Sequence, residues 1–159
     1  MTDPLPININ LAQQQHHNYV QILRRHISQV HVLAADSQSP DCCFIEDTSV
    51  ILNGRGIITQ PGAPSRRSET LEISNFLASS MELHPMTGQA LLDGGDVMRV
   101  NSELWVGLST RTNQAGVHFL TQIAAIENLK VIPIPIREGL HLKSACTLLN
   151  ESSLIYNPK

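Results

Sequence analysis

The chain has 159 residues, with 14 acidic against 11 basic side chains and a formal net charge of −3. That length suits one modest domain, and interspersed charges without a basic face exclude nucleic acid as a partner. No window approaches the roughly 20 apolar residues of a membrane span, and "MTDPLPININ" lacks the cationic segment and apolar run of a secretion signal.

The first element in chain order is "NLAQQQHHNYVQILRRHIS", where Leu11, Tyr19, Val20, Leu23 and Ile27 fall near one helical face. "QVHVLA" reads as a strand. "PDCCFIEDTSV" also reads as strand because Phe44, Ile45, Val50 and Ile51 supply β-favouring bulk. Its load of Asp41, Glu46 and Asp47 is odd for a segment that could be buried. "TSVILNGRGIITQP" is a hairpin, with "NGRG" as the turn. "SETLEISNFLASSME" is a helix with Ser68 as N-cap and Leu71, Ile73, Phe76 and Leu77 on its buried side.

The pattern then recurs. "DVMRVNSELWVGLS" is a second hairpin, turning at Asn101–Glu103. "TNQAGVHFLTQIAAIENL" is a helix that places Val117, Leu120, Ile123, Ala124 and Leu129 at helical spacing. "KVIPIPI" is a strand, and "LHLKSACTLLNESSLIYN" is a third hairpin. Strand–strand–helix–strand units therefore begin near Asp47, Asp96 and His141, at intervals of about 45–50 residues. The fold class expected is α/β, a partial α/β propeller of about three units in a single incomplete domain over 1–159, the third copy stopping in mid-unit. An open ring of this kind exposes apolar faces and predicts self-association.

Three cysteines, Cys42, Cys43 and Cys146, make a poor disulfide framework. They suggest reduced thiols in a cytoplasmic setting. The seven histidines form no HExxH pattern and have no CxxC to work with, so neither a metal site nor a cofactor is expected.

Several stretches combine glycine with charge: "FIEDTSV", "PGAPSRRSE", "LLDGGDV", "STRTNQ" and "EGLHLKSAC". Singly, each has an ordinary reading as a solvated loop, a glycine turn, a surface arginine or a hydrogen-bonded structural histidine. Together they sit at equivalent places in the repeat, at hairpin entries and hairpin-to-helix junctions, where a ring would bring them to one end. Loops on a rigid scaffold are where binding groups concentrate.

In these blocks the sequence resembles the dimethylarginine dimethylaminohydrolases, members of the guanidino-group-modifying superfamily with a five-unit pentein propeller. "PGAPSRR", "LDGGD" and "GLHLKS" form the specific combination, and the blocks run in order from about Gln15 to Tyr156. The resemblance implies hydrolysis of N-methylated arginines to citrulline and methylamines through a covalent cysteine intermediate. It implies that Asp93 holds the substrate guanidinium and that His141 is the general acid/base. It places Asp41, Glu46 and Asp47 around the guanidinium and the amino-acid end. It gives Arg66 and Arg111 the substrate carboxylate.

Physical chemistry supports the acidic cluster on its own terms. A guanidinium is flat, permanently cationic and a donor only, so a site that buries it must supply acceptor oxygens in its plane. An empty site of this kind predicts repulsion among its carboxylates and at least one raised pKa. Glu46 and Asp47 are neighbours and would face opposite ways in a regular strand.

The sequence also departs from the family pattern. The resemblance places the nucleophilic cysteine in a fifth unit and a lid strand before the first helix, and neither is matched. Cys146 lies where such enzymes often carry a non-catalytic cysteine, and this predicts a chain inactive on its own. The alternative reading is a non-catalytic binder of arginine analogues or an interaction module derived from the enzyme.

Overall fold

The computed structural model describes residues 6–158. The chain forms two compact units that divide after Ala35. The expectation about secretion rests on the first residues, of which 1–5 lie outside the described ones.

In the first unit, α1 runs Ile9–His26. The Asn8 side chain caps it by accepting from the Leu11 N–H at 3.0 Å. Arg24, Arg25 and His26 crowd its last turn, where cations complement the helix dipole. Leu11, Tyr19 and Ile27, expected on its apolar face, are exposed. "QVHVLA" is not a strand, because no sheet includes it. Branched residues favour extended backbone, but a strand exists only with a ladder partner.

The second unit repeats one topology. The strands β1 (Ser49–Leu52) and β2 (Arg55–Ile58) form an antiparallel hairpin, and β3 (Glu82–Pro85) returns parallel to β2 after helix α2 (Glu69–Leu77). The hairpin turns at Asn53 and Gly54, both at positive φ, as "NG" requires. The strands β4 (Val97–Val100) and β5 (Glu103–Leu108), helix α3 (Gln114–Ile126) and strand β6 (Lys130–Pro135) repeat the arrangement, with β6 parallel to β5. A short helix α4 (Leu142–Ala145) then leads into the hairpin of β7 (Cys146–Asn150) and β8 (Ser153–Tyr156).

Helix α2 differs from expectation. It stops at Leu77 rather than reaching Glu82, which pairs with Arg55 in the parallel ladder. A β–β–α–β unit needs that stretch for its third strand. Leu71 and Phe76 are exposed, and Ile73 alone of the expected face is fully buried. Helix α3 follows its pattern: Val117, Leu120 and Ala124 are buried, Asn113 caps the start, and Asn128 at positive φ turns the chain after its end.

The core joins the first two sheets. Leu52, Ile57, Met86, Leu92, Val97, Leu104 and Val106 pack with Val117, Leu120 and Ala124 of α3. β2 and β4 bury consecutive residues, Gly56–Ile58 and Val97–Met98, rather than alternating ones. Among the described residues, no helix is long and apolar enough to cross a membrane.

Candidate active site

The acidic stretch is not a strand. Residues 36–44 form turns, and Ile45–Thr48 form a single 3-10 turn that leads into β1. Glu46 and Asp47 still part on this turn. Asp47 goes inward and is buried, while Glu46 stays at the rim, where Lys143 Nζ donates to it at 2.6 Å. Phe44 and Ile45, expected to supply strand bulk, are exposed.

"LDGGD" forms a second 3-10 turn at the entry to β4. A side chain on Gly94 would overlap the Glu46 carbonyl. One on Gly95 would lie 2.8 Å from Asp47 Oδ1 and 2.9 Å from the His141 ring. The glycine pair therefore lets the two acidic turns and the histidine converge.

The convergence centres on Asp47, Asp93 and His141. His141 Nε2 lies 3.8 Å from Asp47 Oδ1 and 3.9 Å from Asp93 Oδ2. Asp93 is fully buried, and its Oδ1 accepts from the Gly62 N–H at 2.8 Å. Its Oδ2 meets Arg111 Nη1 at 3.5 Å. Burial raises the Asp93 carboxyl above the usual range; Asp47 adds to the rise, against the Gly62 N–H, His141 and Arg111. The expected raised carboxyl is thus Asp93, and desolvation outweighs repulsion as its cause.

Asp47 is held from two sides. The Gly95 N–H donates to its Oδ1 at 2.9 Å, and Arg66 Nη1 donates to its Oδ2 at 2.6 Å. Arg66 also forks onto Glu69, with Nε at 3.1–3.2 Å from both oxygens and Nη2 at 2.7 Å, and Nη2 reaches the carbonyls of Asp41 and Phe44. Burial works against the Arg66 charge, but Glu69 and Asp47 outweigh it and keep its pKa above the usual arginine range.

The expectation for Arg66 therefore changes: its side chain is 7% exposed and its donors go to the protein itself. Of the arginine pair expected to meet a substrate carboxylate, Arg111 is the accessible member, at 27%. Asp41 is exposed and enters the network through its backbone carbonyl, and Glu46 faces Lys143. Neither joins the buried cluster.

Two contributors escaped the sequence reading. In the sequence Glu69 stands only in a helix start, and Asp96 only marks the start of the second unit. Asp96 is fully buried and accepts from Ser109 Oγ and Thr112 Oγ1, each at 2.7 Å, and from the Leu142 N–H at 2.9 Å. Its Oδ2 lies 3.4 Å from His141 Nδ1. Its spacing to "GLHLKS" carries no local pattern, so only the fold brings them together.

Asp47, Asp93 and His141 present ligand atoms within 4.8 Å of one another, a donor set that could hold a metal ion as well as an organic cation. A cavity of about 290 Å³ beside β2, β3 and α2, lined in part by Ile58, Arg67, Leu71 and Met86, contains none of them. The titratable cluster, not that cavity, marks the site.

The model of the family described as "N,N dimethylarginine dimethylhydrolase, eukaryotic" matches residues 4–149. The chain belongs to the dimethylarginine dimethylaminohydrolase family. It is 36% identical to the N(G),N(G)-dimethylarginine dimethylaminohydrolase of Streptomyces coelicolor, covering 94% of this chain and 58% of that one. It is 30% identical to the enzyme of the same name from Pseudomonas aeruginosa, covering 91% and 58%. A solved structure of the Pseudomonas enzyme, a cysteine-to-serine mutant complexed with citrulline, superposes with a TM-score of 0.88 at 28% identity over 94% of this chain and 59% of that one. The α/β fold expected from the repeat is therefore the fold of this family. The chain spans under two thirds of the length of these relatives.

Proposed function

We propose that this chain carries the guanidinium-binding and proton-transfer half of a site that hydrolyses N-methylated arginines to citrulline and a methylamine. The supporting observation is the buried meeting of Asp93, Asp47 and His141, whose polar atoms lie within 4.8 Å of one another. Two carboxylates in one desolvated place need a cation, and a guanidinium offers planar donors to both. Membership of a hydrolase family favours this reading over the non-catalytic binder.

In this reading Asp93 takes the guanidinium edge and displaces Arg111, which then turns to the substrate α-carboxylate. Arg66 acts through Asp47, holding it in place. A cysteine thiolate adds to the guanidinium carbon. His141 gives a proton to the leaving dimethylamine, the C–N bond breaks, and a thiouronium remains on sulfur. His141 then takes a proton from water as it attacks the same carbon, and the C–S bond breaks to release citrulline and the thiolate.

Cys146 follows the His141 helix directly, but burial pushes its thiol up, against thiolate formation. Cys43 is exposed and Cys42 half-buried, and neither is among the groups that meet at Asp47, Asp93 and His141. The reading therefore assigns the attack to a cysteine other than these three.

The test is co-expression of this chain with the part of the Streptomyces relative that it does not match. Citrulline and dimethylamine should appear from dimethylarginine, and fall at least 100-fold with Asp93→Asn or His141→Asn. Dimethylarginine binding without citrulline from any such pair would overturn the hydrolase reading.

A further inference from the structure

We infer that Asp96 is a positioning residue for His141: it fixes the ring so that Nδ1 carries the proton and Nε2 is left free toward Asp47 and Asp93. The proposed hydrolysis gives this its consequence, but the geometry stands without it.

Asp96 is fully buried and has no cationic neighbour among the described ion pairs other than His141. Its remaining acceptor capacity is taken by neutral donors from two other segments. Ser109 and Thr112 belong to the loop between β5 and α3, and the Leu142 N–H opens α4. A carboxylate has about four acceptor positions and no donor. Oδ2 takes both hydroxyls and also faces the ring nitrogen at 3.4 Å, while Oδ1 takes the Leu142 N–H. An ionised carboxylate there can only accept, so the nitrogen facing it must be the protonated one.

The ring cannot easily turn away from this arrangement. His141 is the N-cap of α4, where the Ser144 hydroxyl takes its backbone N–H at 3.1 Å. The ring itself packs against Gly95, where a side chain would intrude. Nε2 then faces the two carboxylates that surround the proposed substrate position. A neutral Nε2 can receive a proton from that side, and the imidazolium keeps its Nδ1–H on Asp96 in both states. A triad histidine is held by its acid in the same way.

The same shell couples the histidine to the substrate carboxylate. Thr112 Oγ1 donates to Asp96 and accepts the backbone N–H of Asp93 at 3.2 Å. One hydroxyl thus ties the residue that orients the base to the turn that carries the proposed guanidinium ligand.

The experiment is long-range ¹⁵N–¹H NMR of the imidazole on this chain, wild type and Asp96→Asn. The wild type should show His141 as the Nδ1–H tautomer when neutral. Asp96→Asn should lose that preference, because its amide can donate to Nδ1 and leave Nε2 protonated. In the co-expressed enzyme, Asp96→Asn should lower kcat about 100-fold or more with KM within about threefold. An Nε2–H tautomer in the wild type overturns the inference even if the variant does not fold. So does an Asp96→Asn chain that keeps the wild-type tautomer. Absence of citrulline from every pair, with the Nδ1–H tautomer present, would refute the hydrolase reading and leave the positioning role standing.

Discussion

Asp93 shows how much of the site depends on single buried groups. Burial raises its carboxyl above the unfolded value. A raised group favours the folded state while it is protonated. The benefit is therefore full below about pH 4, the ordinary aspartate value, and is lost as pH rises through the folded pKa. Above its folded pKa the empty site holds an ionised Asp93 at a cost in stability. Asp93→Asn should then melt a few degrees higher than the wild type at pH 7, since about 1 kcal/mol corresponds to roughly 2–4 °C at this size. The gap should close as pH falls toward 4, and a variant that melts lower at pH 7 would contradict it. Asp93 and His141 were legible because their motifs are distinctive. Asp96 and Glu69 were not, because what defines them is the partner across the fold: Asp96 reaches Leu142, and Glu69 reaches Arg66 under the acidic turn.

At the scale of elements, the acidic stretch carries the lesson. Its branched and aromatic residues suggested a strand, but Phe44 and Ile45 are exposed and the chain coils into a 3-10 turn. Composition alone cannot tell a strand from a turn pinned by side chains elsewhere. Here the pin is Arg66, whose Nη2 holds the Asp41 and Phe44 carbonyls while Nη1 holds Asp47. Glu69 pairs with that guanidinium and aligns it from the first turn of α2. Removing one partner of a buried ion pair leaves a poorly compensated charge. Glu69→Ala should therefore destabilise the chain by about 3 kcal/mol in urea unfolding and weaken ligand binding with it. A loss under about 0.5 kcal/mol, the range of ordinary surface changes, would remove Arg66 as the pin of this turn. The hairpins were readable because their signals are local. "NG" and Asn101 supply positive φ where each turn needs it. The strand expected at residues 29–34 and the length of α2 were not, because both depend on which segments find a ladder partner.

Across the molecule, repetition of one β–β–α–β unit was visible in the spacing of apolar runs and is realised in the first two sheets. The repeat matters for chemistry because the two acidic 3-10 turns and His141 occupy the same position in successive units. Close packing of those positions creates the cluster. Its purpose is tested most directly by isothermal titration of dimethylarginine at pH 7 into wild type and Asp93→Asn, with citrulline, which lacks the charge, as the comparison ligand. Dimethylarginine should bind the wild type at least 100-fold more tightly than it binds the variant, and citrulline should distinguish the two far less. Equal binding of dimethylarginine to both proteins, or preference for the uncharged ligand, would contradict a guanidinium site at Asp47, Asp93 and His141.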